Sequence, residues 1–193
     1  IAKSLANLRT GRIDSLVLHS PCDTLDETMT VWRVFEEAVD DGRVGQLGIS
    51  NCYDLETFEA LYEQARIKPK VLQNRFYEDS GYDAQLRAYC LQRGVMYQSF
   101  WTLTANPHIL GASPVLGAAS RLRATPEQVL FRWLQQAGHQ PLTGTRSPGH
   151  MREDLRAASL ALSDAEMQAI EGLFRSRAGA SDGDGDAGGA SGG

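Results

Sequence analysis

The chain has 193 residues, of which 42% are hydrophobic and 22% charged, enough apolar content for one packed core and the wrong composition for a collagen, a coiled coil or a disordered chain. The 19 Lys and Arg against 24 Asp and Glu give a formal charge of -5, and Asp182, Asp184 and Asp186 of that acidic set lie in a Gly-rich tail. The near-neutral remainder has no basic footprint for nucleic acid or an anionic membrane, and its apolar runs fall far short of the roughly 20 residues that span a bilayer.

In chain order, Ile1, Leu5 and Leu8 have helical spacing and read as the end of an amphipathic helix. From Ile13 onward, short apolar runs alternate with longer segments of helical period, the pattern of strand and helix units on a parallel sheet. The strands are expected at Ile13 to Leu18, Val44 to Ile49, Val71 to Gln73, Val95 to Phe100 and, weakly, Pro141 to Thr143. Between them Trp32, Phe35 and Val39 form one helical stripe, Leu55, Phe58, Leu61 and Tyr62 a second, and Val129, Leu130, Trp133, Leu134 and Ala137 a third. Gly42 and Gly94 close helices, Thr125 with Pro126 and Gln128 opens one, and Ser163 with Glu166 opens the last, which carries Met167, Ile170 and Leu173. Phe100 to Thr125 reads as a long connection of the kind that serves as a lid.

From Ala178 the composition turns to Asp, Gly, Ala and Ser, so residues 1-177 are expected to form the domain and residues 178-193 a disordered tail. The three aspartates of that tail imitate the start of a calcium loop, but Ala187 and Gly193 stand where Gly and Glu are needed. Cys22, Cys52 and Cys90 show no CxxC spacing, and His108, His139 and His150 no metal-ligand spacing. No secretion signal is seen, so the expectation is a cytoplasmic chain without disulfide or metal, acting on a small molecule.

Candidate chemistry gathers at strand ends. His19 ends the first strand, Ser50 and Asn51 the second, and Gln73 and Asn74 the third, so on a parallel barrel all would lie on the carboxyl rim where active sites are built. Turn formation and helix capping account equally well for Ser50, Asn51 and Asp54 taken singly. Thr143 to Pro148 reads as a tight turn into a helix capped by Ser147, a place where free amides meet phosphate. The glycines at 42, 45 and 48 have the wrong spacing for a Rossmann fingerprint.

Four segments, Ile13 to Pro21, Gly42 to Asn51, Val71 to Asn74 and Leu142 to Thr145, carry a resemblance to the aldo-keto reductase family over about residues 1 to 175, from that family's fourth barrel strand to its C-terminal helices. The resemblance implies an α/β fold of the TIM-type (β/α)8 barrel, represented here by its last five strand-helix units, and an oxidoreductase that reduces an aldehyde or ketone by hydride transfer from NADP(H), with NAD(H) as the other option. It implies a catalytic role for His19, which orients and polarises the carbonyl, and cofactor contacts for Ser50, Asn51, Gln73, Phe100, Leu103, Thr145, Arg146, His150, Glu153 and Asp154. Phe100 stands where the family usually has a tyrosine stacked on the nicotinamide. Gly144 and His150 stand where members that grip the 2'-phosphate have lysine and arginine. The family's proton-donating tyrosine, with its lysine and aspartate, belongs to strand-helix units that precede Ile13, so the chain by itself is expected to be inactive. A non-catalytic nucleotide- or partner-binding module, or a truncated remnant of the fold, are the alternatives.

Overall fold

A computed structural model describes residues 1–178, and side chains as far as Arg175; the expected tail lies outside the described residues, apart from Ala178, which closes the last helix. After the short helix α1 (Ala2–Leu8), strands β1 (Ile13–Leu18), β2 (Val44–Ser50), β3 (Val71–Arg75), β4 (Met96–Phe100) and β5 (Gln140–Pro141) form one sheet in sequence order. All four pairings are parallel. Helices α2 (Leu25–Asp40), α3 (Leu55–Gln64), α4 (Ala84–Arg93) and α7 (Pro126–Gln136) make the crossovers, which gives the open arc of an α/β barrel.

The sequence-based limits of four strands are corrected, two of them by one residue: β2 runs on to Ser50 and β4 starts at Met96. The third strand continues past Gln73 through Asn74 and Arg75, because both residues remain in register with Ser99 and Phe100 of β4. The fifth strand is Gln140–Pro141, not Pro141 to Thr143: Leu142 still donates its amide to the Ser99 carbonyl at 2.8 Å, but beyond it the chain turns toward the next helix. The connection from Phe100 to Thr125 is not a simple loop, since it contains α5 (Pro107–Leu110) and α6 (Ser113–Leu122). Pro107 and Pro114 lie in the first turns of these helices, where a missing N–H costs nothing.

The strand period of two separates two faces. Leu47, Ile49, Leu72 and Tyr97 turn outward and are completely buried against the helices. There they meet the apolar stripes read in the sequence, among them Trp32, Phe58, Leu61, Val129, Leu130 and Trp133. Phe174 of α9 (Asp164–Ala178) inserts into an aromatic cluster, with ring centroids 4.6 Å from Trp133, 4.8 Å from Tyr82 and 5.3 Å from Phe76. The two deepest indoles are hydrogen-bonded, Trp32 Nε1 donating to the Ile67 carbonyl at 3.1 Å and Trp133 Nε1 to that of Met167 at 3.2 Å. Capping boxes Thr24–Glu27 and Thr125–Gln128 start α2 and α7, each worth about 1 kcal/mol.

The other face carries Ser15, Gln46, Gly48, Ser50, Gln73, Gln98 and Gln140, joined across the sheet by the pairings Ser15–Gln46, Ser50–Gln73, Gln73–Gln98 and Gln98–Gln140. Gly48 is required there: a Cβ at this position would stand 2.8 Å from both Cβ and the carbonyl oxygen of Val71. Its absence lets β2 and β3 close at the level just below the polar rim.

Candidate active site

The carboxyl ends of β1, β2 and β3 are stitched together by the residues the sequence singled out. Asn51 adopts a left-handed backbone conformation, φ 52°, which asparagine tolerates better than most residues. From that position its Nδ2 donates to the His19 carbonyl at 2.8 Å and its amide to the Gln73 carbonyl at 3.1 Å. Ser50 Oγ donates to the same Gln73 carbonyl at 2.6 Å. His19 itself is exposed at the end of β1, its ring open to a ligand while its carbonyl anchors the turn.

Gln73 heads a ladder that the sequence did not reveal. Its Nε2 donates to Gln98 Oε1 at 2.9 Å, and Gln98 Nε2 donates to Gln140 Oε1 at 2.9 Å. With one Nε2 hydrogen committed, Gln73 keeps the other and Oε1 as an acceptor, Ser50 keeps its hydroxyl lone pairs, and Asn51 Nδ2 keeps a second hydrogen. This set complements a primary carboxamide, which offers two N–H groups and one C=O, so the residues fit a nicotinamide.

Asn74 is different from its neighbour. It points to the helix side, completely buried, where Oδ1 accepts from the Cys52 amide at 3.0 Å and Nδ2 donates to the Cys52 carbonyl at 2.7 Å and to Asp83 at 2.8 Å. Tyr97 donates to the same Asp83 oxygen at 2.9 Å. Burial pushes the Asp83 carboxyl up, while the bonds from Asn74 and Tyr97 and the charge of Arg87 pull against it. This network braces β3 and β4 from behind and is no part of a ligand site. Asp54 likewise is a helix cap, accepting from the Thr57 amide at 2.7 Å; the Thr57 hydroxyl and amide hold its carboxyl below the usual range.

The remaining sequence candidates gather farther along the rim. A cleft of about 730 Å³ is lined by Leu103, Thr145, His150, Glu153 and Asp154, with Trp101 at its near end, a volume within the range of ligand sites. Helix α8 (Pro148–Ala157) starts at this cleft, with Ser147 as its cap, accepting from the His150 amide at 3.4 Å. Thr145 Oγ1 accepts from the Ser147 amide at 3.1 Å and lies 3.5 Å from His150 Nδ1, and Thr143 donates to Asp154 Oδ2 at 2.7 Å. Phe100 stands at the end of β4 in register with Arg75 and does not line the cleft. Arg146 is exposed and is not among the cleft's lining residues either.

Sequence reasoning missed Arg75, Tyr77, Trp101 and Tyr53. The Arg75 guanidinium lies 4.2 Å from the Trp101 ring centroid and 5.2 Å from that of Tyr77. Tyr53 Oη accepts from the Arg75 amide at 3.1 Å and donates to Asn51 Oδ1 at 3.2 Å, so the group is tied to the rim. Counting by twos from Gln73 along β3 would have placed Arg75 on the same face.

An arc of parallel strands with helical crossovers, a polar carboxyl rim and a cleft at a late helix start defines a segment of a (β/α) barrel of the ligand-binding kind. The family model described as Aldo/keto reductase family matches residues 1–106, over half of the chain, and the protein belongs to this family. An uncharacterised oxidoreductase of Saccharomyces cerevisiae is 30% identical over 161 residues, covering 82% of this chain and 56% of that protein. The 2,5-diketo-D-gluconic acid reductase B of a Corynebacterium species is 28% identical over 177 residues, covering 92% and 63%. Among solved structures, an aldo-keto reductase enzyme from a Medee basin deep-sea metagenome library superposes with a TM-score of 0.80 at 21% identity, covering 89% of this chain and 63% of that one. Gox0644 in complex with NADPH gives 0.79 at 25% identity, covering 89% and 62%. The chain therefore spans between 56 and 63% of the length of these relatives.

Proposed function

We propose that the protein is a carbonyl reductase that takes a hydride from NADP(H), or from NAD(H), and delivers it to the carbonyl carbon of a small aldehyde or ketone. The observation that carries this reading is the joining of His19, Ser50, Asn51 and Gln73 at the carboxyl ends of β1, β2 and β3, with a cleft lined by Thr145, His150, Glu153 and Asp154 beyond the end of β5. The cofactor, when bound, supplies the hydride. Ser50, Asn51 and Gln73 would hold the carboxamide and so fix which face of the ring is offered, Phe100 would supply an aromatic ring to the nicotinamide, and Leu103 and the α8 start would take the nucleotide end. His19 donates a hydrogen bond to the carbonyl oxygen, where negative charge develops during transfer.

Glu153 and Asp154 bear on the choice of cofactor: carboxylates accept from a ribose hydroxyl and repel a 2'-phosphate, while Arg146 is near enough in sequence to favour the phosphate. Both cofactors belong in the assay. By the resemblance, the acid that protonates the alkoxide sits on strand-helix units N-terminal to Ile13, so turnover is measured on the whole polypeptide that carries this sequence in its source. Domain limits of 1–177 for the barrel portion and a cytoplasmic location complete the proposal, the latter supported by three free cysteines.

The test is stoichiometric conversion of an aldehyde to its alcohol with oxidation of the cofactor, in wild type and His19→Leu. Loss of the oxyanion donor should lower kcat on the order of 100-fold with the cofactor Kd little changed. Cofactor binding without turnover by the whole polypeptide would favour the binding module instead.

A further inference from the structure

Arg75 has features that the cofactor reading does not use. Its Nε is buried without a hydrogen-bond partner among the described residues, and the ion pairs identified in the structure involve Arg43, Arg66, Arg87, Arg93, Arg121 and Arg175 instead. The guanidinium lies over the ring of Trp101, 4.2 Å from its centroid, and Trp101 is itself 56% exposed with a left-handed backbone conformation, φ 57°. Stacking of this kind leaves the edge of the fork, with its row of N–H donors, as the reactive surface, and that edge matches a planar oxyanion in two-point contact.

A second cleft, of about 690 Å³, opens beside this group and is lined by Arg75, Tyr77, Trp101 and Thr104, with the exposed Glu78 and Asp79 among its wall residues. Trp101 and Thr104 line both clefts, so they divide one from the other, and none of Leu103, Thr145, His150, Glu153 or Asp154 lines the second. A ligand reaching Arg75 is therefore not the nucleotide end of the cofactor. It does lie beside the reacting end: Arg75 follows Gln73 on the same face, pairs with Phe100, and connects through Tyr53 and Asn51 to the His19 carbonyl.

We propose that Arg75, held by Trp101 and Tyr77, receives the carboxylate of an acidic carbonyl substrate. This rests on the carbonyl-reductase reading and names its substrate class. Strands β1 and β3 are two inter-strand steps apart, about 10 Å. Allowing for the reach of His19 and Arg75 toward each other, the carbonyl and the carboxylate are separated by a chain of roughly four to six carbons, so the substrate is an ω-oxo or similarly spaced oxo acid.

The probe pair is 5-oxopentanoate and its methyl ester, the same aldehyde with and without the charge, assayed on the whole polypeptide in wild type, Arg75→Met and Arg75→Lys. The acid-to-ester ratio of kcat/KM should fall about 10- to 100-fold in Arg75→Met, mostly through KM, with an intermediate value for Arg75→Lys, which keeps the charge without the fork. The cofactor Kd should be the same in all three. An unchanged ratio, an equal fall for acid and ester, or a weakened cofactor Kd would overturn the proposal, the last by assigning Arg75 to the cofactor's diphosphate. A direct reading uses glutarate, which cannot be reduced, and the part of the tryptophan emission that is lost in Trp101→Phe, Trp101 being the exposed indole of the three in this sequence. If no carbonyl compound is reduced at all, the reductase reading fails. The carboxylate site then stands if glutarate shifts the emission of wild type but not of Arg75→Met, and falls otherwise.

Discussion

Acidification from pH 7 to pH 5 should destabilise the protein through His139, and the size of the effect can be worked from its surroundings. His139 is 5% exposed, meets Tyr97 edge to face with centroids 5.4 Å apart, and has Nδ1 buried without a partner among the described residues. Burial first, and then the charge of Arg87, lower its pKa from the ordinary 6.5 to about 4. The folded state thus refuses a proton that the unfolded state accepts below 6.5. Stability is unaffected above that value, falls with pH between 6.5 and 4, and then levels off. Integrating the linkage from pH 7 to 5 gives about 2 kcal/mol, a large share of a typical domain's stability, and about 1 M in a urea midpoint. His139 precedes β5, the strand that leads to Thr143 and the cleft at the start of α8, so this edge of the sheet should loosen first. The assay is urea unfolding of wild type and His139→Leu at both pH values, because the difference of differences cancels the other titrating groups and the constant effect of the substitution. Parallel pH dependence in the two proteins would refute the reasoning.

Gly48→Ala should lower stability by about 1–3 kcal/mol and weaken cofactor binding, since the added methyl meets both backbone and side chain of Val71 at 2.8 Å; calorimetric melting and a cofactor titration check both. Thr125→Ala removes the cap of α7, whose partner Gln128 also donates to the Glu153 carbonyl at 2.7 Å, and should cost about 1 kcal/mol in urea unfolding. Glu166, paired with Arg121 through two contacts of 2.6 Å, has its carboxyl held down from 4.5 to about 2, chiefly by Arg121. Its stabilising contribution is present above 4.5 and is lost as pH falls toward 2, reduced in size because Arg121 is half exposed. Wild type and Arg121→Met should therefore differ above pH 4.5 and converge toward pH 2 in acid unfolding curves.

Much of this fold is written in local pattern. Alternation and apolar runs marked all five strands to within two residues at either end, and the Thr125 and Ser163 caps fall where the helix rules place them. Failures arose where one residue type serves two purposes. Asn74 and Arg75 resemble the polar punctuation of a strand end, yet cross-strand pairing with Ser99 and Phe100 extends β3 through both. Pro107 and Pro114 resemble loop residues, yet each stands in the first turn of a helix. At the rim, repetition of polar residues at strand ends singled out Ser50, Asn51 and Gln73, which the structure joins through the Gln73 carbonyl. The Gln73–Gln98–Gln140 ladder was illegible because it depends on register between strands far apart in the chain. Trp101 and Arg75 were hidden for a related reason: their stacking is a tertiary contact between the ends of β3 and β4.

The central claim, that the rim of Ser50, Asn51 and Gln73 holds the nicotinamide end of a dinucleotide, is tested most directly by calorimetric titration of NADPH and NADH into the whole polypeptide, in wild type and Gln73→Leu. The account predicts saturation at a single site for at least one of the two cofactors, and a Kd raised on the order of tenfold in Gln73→Leu. Absence of saturable binding of either cofactor, or an unchanged Kd in the variant, would contradict it.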